Sequence, residues 1–183
     1  MEKINWKEKT TLSNYPADQV ISSLQKDIRR GNIEQAAFWA YELSRSGAEF
    51  QKILWERLTT IAVEDISFGN PDAVNLIQSL KIAYYSDFEH DDDKNIQAMF
   101  AAAYMAKSPK DRFIDEMKNY FKLYEVKHEI PDYALDKHTK AGKEMGRSYD
   151  HFWLVGAKLN PESADRDKSY FKKVIEKYGI KEE

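Results

Sequence analysis

The stretch 16–47, PADQVISSLQKDIRRGNIEQAAFWAYELSRSG, decides how the rest of the chain is read. A proline at the first helical position gives up only an amide that has no partner there, so Pro16 opens a helix running through Ile28. Gly31 supplies the left-handed residue that closes it. Asn32 caps the next segment. Across 33–46, Ala36, Ala37, Trp39, Ala40 and Leu43 recur at three- and four-residue spacing, on one side of a helix ended by Gly47. The two segments form a helical hairpin.

Working outward, the same punctuation continues. A third helix over 48–68 carries Phe50, Ile53, Leu54, Leu58, Ile61 and Ala62 on one stripe and stops at Gly69, and Asn70-Pro71 restarts the chain. Further helices are predicted over 72–85, 94–107, 108–124, 133–145, 149–159 and 165–178, the last preceded by Asn160-Pro161. Residues 86–93, with Asp87, Glu89, His90, Asp91, Asp92 and Asp93, read as an exposed acidic loop whose charge suits the helix start after it. Residues 126–131 read as a second loop. No strand alternation and no internal repeat is visible. The expectation is an all-α fold: one compact domain of about eight or nine helices over 16–183, preceded by an arm over 1–15.

Composition agrees. With 183 residues, 42% of them hydrophobic and 13% aromatic, the chain is too apolar for a disordered tail and should bury a core. Lys and Arg number 28 against 31 Asp and Glu, so no global positive field draws it to nucleic acid or an anionic membrane; such binding needs a local patch. The absence of cysteine excludes disulfides, thiolate metal sites and cysteine nucleophiles. The opening MEKINWKEK has no apolar signal core, and the apolar run over 99–106 is far short of the roughly 20 residues that span a bilayer. The expected location is the cytoplasm, without membrane contact.

Motifs for familiar chemistry are missing. There is no G-x-x-x-x-G-K-[ST], since Gly142-Lys143 is followed by Glu144, and no G-x-G-x-x-G or H-E-x-x-H. No cofactor is expected. His90-Asp91 resembles a metal-binding pair but lacks an upstream histidine, so a solvated acidic loop is the better reading. The densest run of functional side chains is 132–153, DYALDKHTKAGKEMGRSYDHFW. On a helix, Lys137, Lys140, Lys143 and Arg147 share an arc about 120° wide, with Asp136 and Glu144 in or beside it. Such a stripe is more often a solvated face than a phosphate or acidic-partner site. As a nucleic-acid surface it would draw on Arg29 and Arg30 as a second patch. The same wheel puts His138 on the apolar side with Ala134, Leu135, Ala141 and Met145, which predicts a buried histidine. Gly142 and Gly146 then allow close approach, unless Gly146 simply ends the helix. An enzyme reading would need Asp136, His138 and His151 in one pocket. Trp39, Trp55 and Trp153 read as core, and Trp6 as an arm residue packing on its own domain or on a neighbouring subunit.

Three stretches together resemble the C-terminal helical region of the MgsA/RarA family of replication-associated AAA+ ATPases. They are DIRRGNIEQAAFWA over 27–40, RLTTIAVEDI over 57–66 followed by GNPDA over 69–73, and, more weakly, AKSPK over 106–110 with the segment 131–146. The resemblance spans 24–146 and touches Trp39, Arg57, Glu64, Asp65, Pro71, His138 and Gly146; 147–183 reads as a helical extension without counterpart. It implies an all-helical assembly module, a homo-oligomer, a tetramer by analogy, and association with replication or repair proteins or DNA. The family's ATPase domain has no counterpart in this sequence, so motor function is not implied. Read from the residues alone, Arg57 and Glu64, seven apart, share a helix face, and the Glu64-Asp65 pair beside Ile61, Ala62 and Ile66 is suited to cap a neighbouring helix or pair with a buried arginine.

Overall fold

The computed structural model describes residues 4–87 and 90–181, and among them the fold is all-helical, with no strand. The chain divides into two compact units, Met1–Val126 and Lys127–Glu183. The boundary read from sequence at 146/147 falls inside the second.

In the first unit, helix α1 (Ala17–Arg30) starts after Pro16 and ends at Gly31, whose φ of 78° is the left-handed closing conformation. Helices α2 (Ile33–Ser44) and α3 (Ala48–Ile61) follow. The expected continuation of α3 to Phe68 is replaced by a π-helical turn, Ala62–Ile66, and a 3-10 turn, Ser67–Gly69. Helices α4 (Asp72–Ser86), α5 (Asp91–Lys107) and α6 (Phe113–Leu123) complete the unit. The acidic run is thus not all loop. Asp91, Asp92 and Asp93 form the first turn of α5, where the helix dipole favours them, and Glu89 lies outside the described residues. The helix expected from Ser108 starts only at Phe113, because Ser108–Lys110 docks against Gly69, where a β-carbon would stand 2.7 Å from the Pro109 carbonyl oxygen.

The core lies along α2 and α5, the most extensively packed pair. Ala36, Ala40 and Leu43 meet Ala98, Ala101, Ala102 and Met105, all buried, and the small side chains let the two backbones approach. Around them pack Leu24 and Ile28 of α1, Leu54, Trp55 and Leu58 of α3, and Ile77 and Tyr84 of α4. Trp39 sits at the edge of this cluster and donates its indole N–H to Asp27 at 2.9 Å. Trp6 packs edge-on against Phe50 with centroids 5.3 Å apart, so the arm folds onto its own unit. Pro71 is the cap before α4, and Asn70 donates to the Tyr104 hydroxyl (2.9 Å) and Ser108 Oγ (3.0 Å).

In the second unit the predicted helix over 133–145 does not form. A 3-10 turn (Asp132–Ala134) leads through an irregular loop to the short α7 (Lys140–Glu144). Local side chains satisfy the backbone differently: Asp136 Oδ1 accepts the amide of His138 at 2.8 Å, and Thr139 Oγ1 accepts that of Gly142 at 2.9 Å, starting a new helix there. Gly142 lies so close under the Asp136 carbonyl that no β-carbon fits, and Gly146, at φ 73°, ends α7. The segment after it is α8 (Tyr149–His151), continued by a π turn, Phe152–Gly156; α9 (Ser169–Lys177) is shorter than expected. No helix among the described residues is long and apolar enough to cross a membrane.

Candidate functional site

Of the charged residues singled out from the sequence, Arg29, Arg30, Arg57, Glu64 and Asp65 lie in the first unit and those of 132–153 in the second. In the first unit the EDI segment over 64–66 forms the π turn. Asp65 stands four residues after Ile61 and seven after Leu58, on the stripe that faces the core, and is completely buried. A carboxylate withdrawn from water needs its charge answered. Arg29 Nε donates to Asp65 Oδ1 at 2.7 Å and its NH2 group to Oδ2 at 3.3 Å, while Gln25 donates to Oδ2 at 2.9 Å. Arg112 Nε lies 3.2 Å from Oδ1 as an ion pair without hydrogen-bond geometry. The Asp65 carbonyl accepts the amide of Asp111 at 3.0 Å, fixing the entry to α6.

Glu64 extends the network outward. Gln25 donates to it at 3.0 Å, and Arg57 and Lys118 lie 3.8 and 3.7 Å away. Lys118 also binds Asp115 at 2.5 Å; its ammonium and the guanidinium of Arg112 hold the Asp115 carboxyl below the usual range. Each acid here has a cation, and each oxygen of Asp65 has a donor. This arrangement joins α1, the end of α3 and α6, and leaves no uncommitted base for proton transfer.

In the second unit, Arg147 donates to the carbonyls of Asp132 (2.7 Å) and Leu135 (2.8 Å) and to the Asp132 carboxylate, closing the loop before α7. Arg147 and then His151 hold Asp132 below the usual carboxylate range. His138 is not buried: its side chain is 57% exposed, its ring stands edge-on to Phe152, and Nδ1 lies 3.2 Å from Asp136 Oδ2. The failure of the helix turns it out of the apolar face. The amide and ring of His138 hold Asp136 low. His151 is mostly buried, 3.9 Å from Asp132. The structure thus brings Asp136 to His138 and within electrostatic reach of His151. A cavity of about 850 Å³ nearby is lined by Tyr133, Val155, Gly156 and Lys158, and by none of those three residues. No group of three or more His, Asp or Glu that could hold a metal occurs among the described residues.

The basic residues are differently placed than a helical stripe requires. Arg29 is committed to the buried Asp65, and Arg147 to the carbonyls of Asp132 and Leu135 and to the exposed Asp132 carboxylate. Lys137 lies over the Tyr149 ring at 3.8 Å, and Tyr149 stacks on Tyr178 at 4.2 Å. Lys140 is 91% exposed, 3.8 Å from Glu144; Lys143 and Arg30 are also exposed, Arg30 bonding to the Lys26 carbonyl. Sequence reasoning identified Asp65 and Arg29 separately but not that they meet, and it missed Gln25 and Arg112. The signal available was a carboxylate on an apolar stripe.

No protein-family profile matches the chain. Over 137 residues, 73% of its length, the chain is 26% identical to a Dictyostelium discoideum protein named ATPase WRNIP1. The match covers 15% of that protein, so the chain spans only a small part of the relative's length.

Proposed function

We propose that this chain is a noncatalytic helical assembly or adaptor module working with DNA replication or repair machinery, of the kind that the MgsA/RarA resemblance implies. The observation that carries the reading is the buried Arg29–Asp65 pair. Arg29 belongs to the first resembling stretch and Asp65 to the second, and their contact, 2.7 Å at its shortest, gives both motifs one purpose. What the motifs have in common with the family is then an architecture rather than a reaction centre. The similarity to an ATPase, WRNIP1, of that same family points the same way.

Exposed apolar side chains of the first unit support the assembly part of this reading. Phe38 of α2 is 40% exposed beside a shallow cavity of about 410 Å³ that Tyr41 and Met99 also line, and Ile96 and Phe100 of α5 are more than half exposed. Molar mass by light scattering after size exclusion, over a concentration series, tests the reading. A stable multiple of 21.4 kDa that Phe38→Glu reduces to the single-chain mass is the expected result. A single-chain mass at every concentration removes the self-assembly part. Fluorescence anisotropy with labelled single-stranded and duplex DNA is the companion measurement: salt-sensitive binding that Lys140→Glu and Lys143→Glu abolish would replace the adaptor by a direct nucleic-acid binder.

A further inference from the structure

The extension after Gly146, which has no counterpart in the resemblance, carries a cavity of about 250 Å³ that joins aromatic walls to a cationic rim. Trp153 and Phe171 form the aromatic part, their rings 6.1 Å apart and edge-on, with three aliphatic side chains beside them. Lys158, Arg166 and Lys168 line the same cavity, against a single carboxylate, Glu162. Arg166 lies over the Phe171 ring at 5.6 Å.

Glu162 is shared. One of its oxygens takes Arg166 and the other lies 2.7 Å from the Lys168 ammonium. These two cations, Lys168 first, hold its carboxyl below the usual range. A guanidinium has five N–H donors and an ammonium three, so both keep donors to spare. Helix α9 begins directly after Lys168 and places Phe171 in the cavity wall. Its first turn holds no acidic residue, so nothing within the helix offsets the positive end of its dipole, although Asp167 just before it accepts the Ser169 amide at 2.8 Å. Excess positive charge beside apolar walls selects a ligand that is both anionic and apolar. The volume lies just under the usual range for small-molecule sites, about 300–1,000 Å³, and suits a body of about one ring.

We infer that this cavity binds a small amphiphilic anion, with its carboxylate or phosphate on Arg166 and Lys168 and its aromatic or aliphatic body against Trp153 and Phe171. Glu162 is the resident counter-anion: it holds the two cations in place when the cavity is empty and is displaced when the ligand enters.

The test uses the whole chain and follows the indole N–H resonances by NMR, with that of Trp153 identified from Trp153→Phe. The probes are N-acetylphenylalanine, its uncharged amide, acetate and phenyl phosphate. The expected result is a saturable shift of the Trp153 signal with at least one of the two ring-bearing anions, weakened by salt; the comparison between them says whether carboxylate or phosphate is preferred. The amide and acetate, each lacking one half of the ligand, should bind about tenfold more weakly or worse. Glu162→Gln should tighten binding several-fold, since it removes the competitor, and Arg166→Gln should abolish it while the far-ultraviolet spectrum stays that of the parent. The inference is overturned if the amide binds as well as the acid, if Glu162→Gln weakens binding, if the responding indole is not that of Trp153, or if no probe binds at millimolar concentration. None of these outcomes bears on the assembly reading, which rests on the first unit.

Discussion

Asp65 and Glu42 are both carboxylates with no exposure to solvent, and they differ in what answers their charge. For Asp65 the answer is two guanidiniums and an amide from distant parts of the chain. Removing the charge leaves Arg29, about a third of whose side chain reaches solvent, without its carboxylate, while Arg112 keeps Asp115, so Asp65→Asn should cost about 2 kcal/mol, read as a lower urea midpoint at neutral pH. For Glu42 the partners are the Ser13 amide (2.8 Å) and hydroxyl (3.1 Å) and Arg45 Nε (2.9 Å). Burial pushes this carboxyl up, but Thr11, Ser13 and Arg45 together outweigh it and hold it below the ordinary 4.5. A depressed carboxylate adds stability above its unfolded value and loses it as pH falls through the folded one. The contribution of Glu42 is therefore complete at neutral pH and disappears in acid below 4.5. Glu42→Gln should lower stability by about 2 kcal/mol at pH 7, and the difference from the parent should shrink as urea titrations are carried into that acid range.

At the scale of elements, the turn between α3 and α4 concentrates what a helical wheel cannot show. Ser67 has φ 45° and ψ −126°, a region that side chains other than glycine's rarely enter. Ser67→Gly should therefore stabilise the protein by about 1 kcal/mol, seen as a higher thermal midpoint. Two residues on, Gly69→Ala should destabilise by more than that, because its β-carbon would stand 2.7 Å from the Pro109 carbonyl oxygen, and backbone cannot swing aside as a side chain can. This contrast also marks how far the sequence could be read. Helices α1 to α3 start where their caps and apolar stripes place them, since Pro16, Gly31 and Gly47 act locally on the residues beside them. The π turn and the short α7 were not legible, because each depends on competition. Asp136 and Thr139 have side chains able to take backbone amides, and whether they do so depends on what a continuous helix would have gained there by packing. The candidate network was half legible: a carboxylate on an apolar stripe announces that a cation must come, but Arg29 and Arg112 lie 36 and 47 positions away in sequence, and spacing says nothing about such pairs.

For the whole molecule, the unequal distribution of buried apolar surface decides how it should come apart. The main core cluster runs from Ala17 to Ala106, inside the first unit, whereas among the described residues of Lys127–Glu183 the one buried hydrophobic side chain is Ile175, still 6% exposed. A unit of fewer than about 60 residues buries a smaller share of its surface than a larger one does and is correspondingly marginal. What holds it is mostly polar and aromatic: Arg147 on two carbonyls and a carboxylate, the Tyr149–Tyr178 stack, and Trp153 against Phe171. Hydrogen exchange on the intact chain should accordingly show two classes of amide, with those of α2 and α5 opening only near the global unfolding free energy and those of α9 opening at a fraction of it. Arg147→Ala separates this account from simple fraying of a terminus. It frees the Asp132 and Leu135 carbonyls at a point remote in sequence from α9, and should speed exchange across the second unit by about tenfold or more while α2 and α5 keep their protection. If instead α9 exchanges fast in the parent and Arg147→Ala changes nothing, the helix frays by itself and the loop closed by Arg147 is not what stabilises the unit.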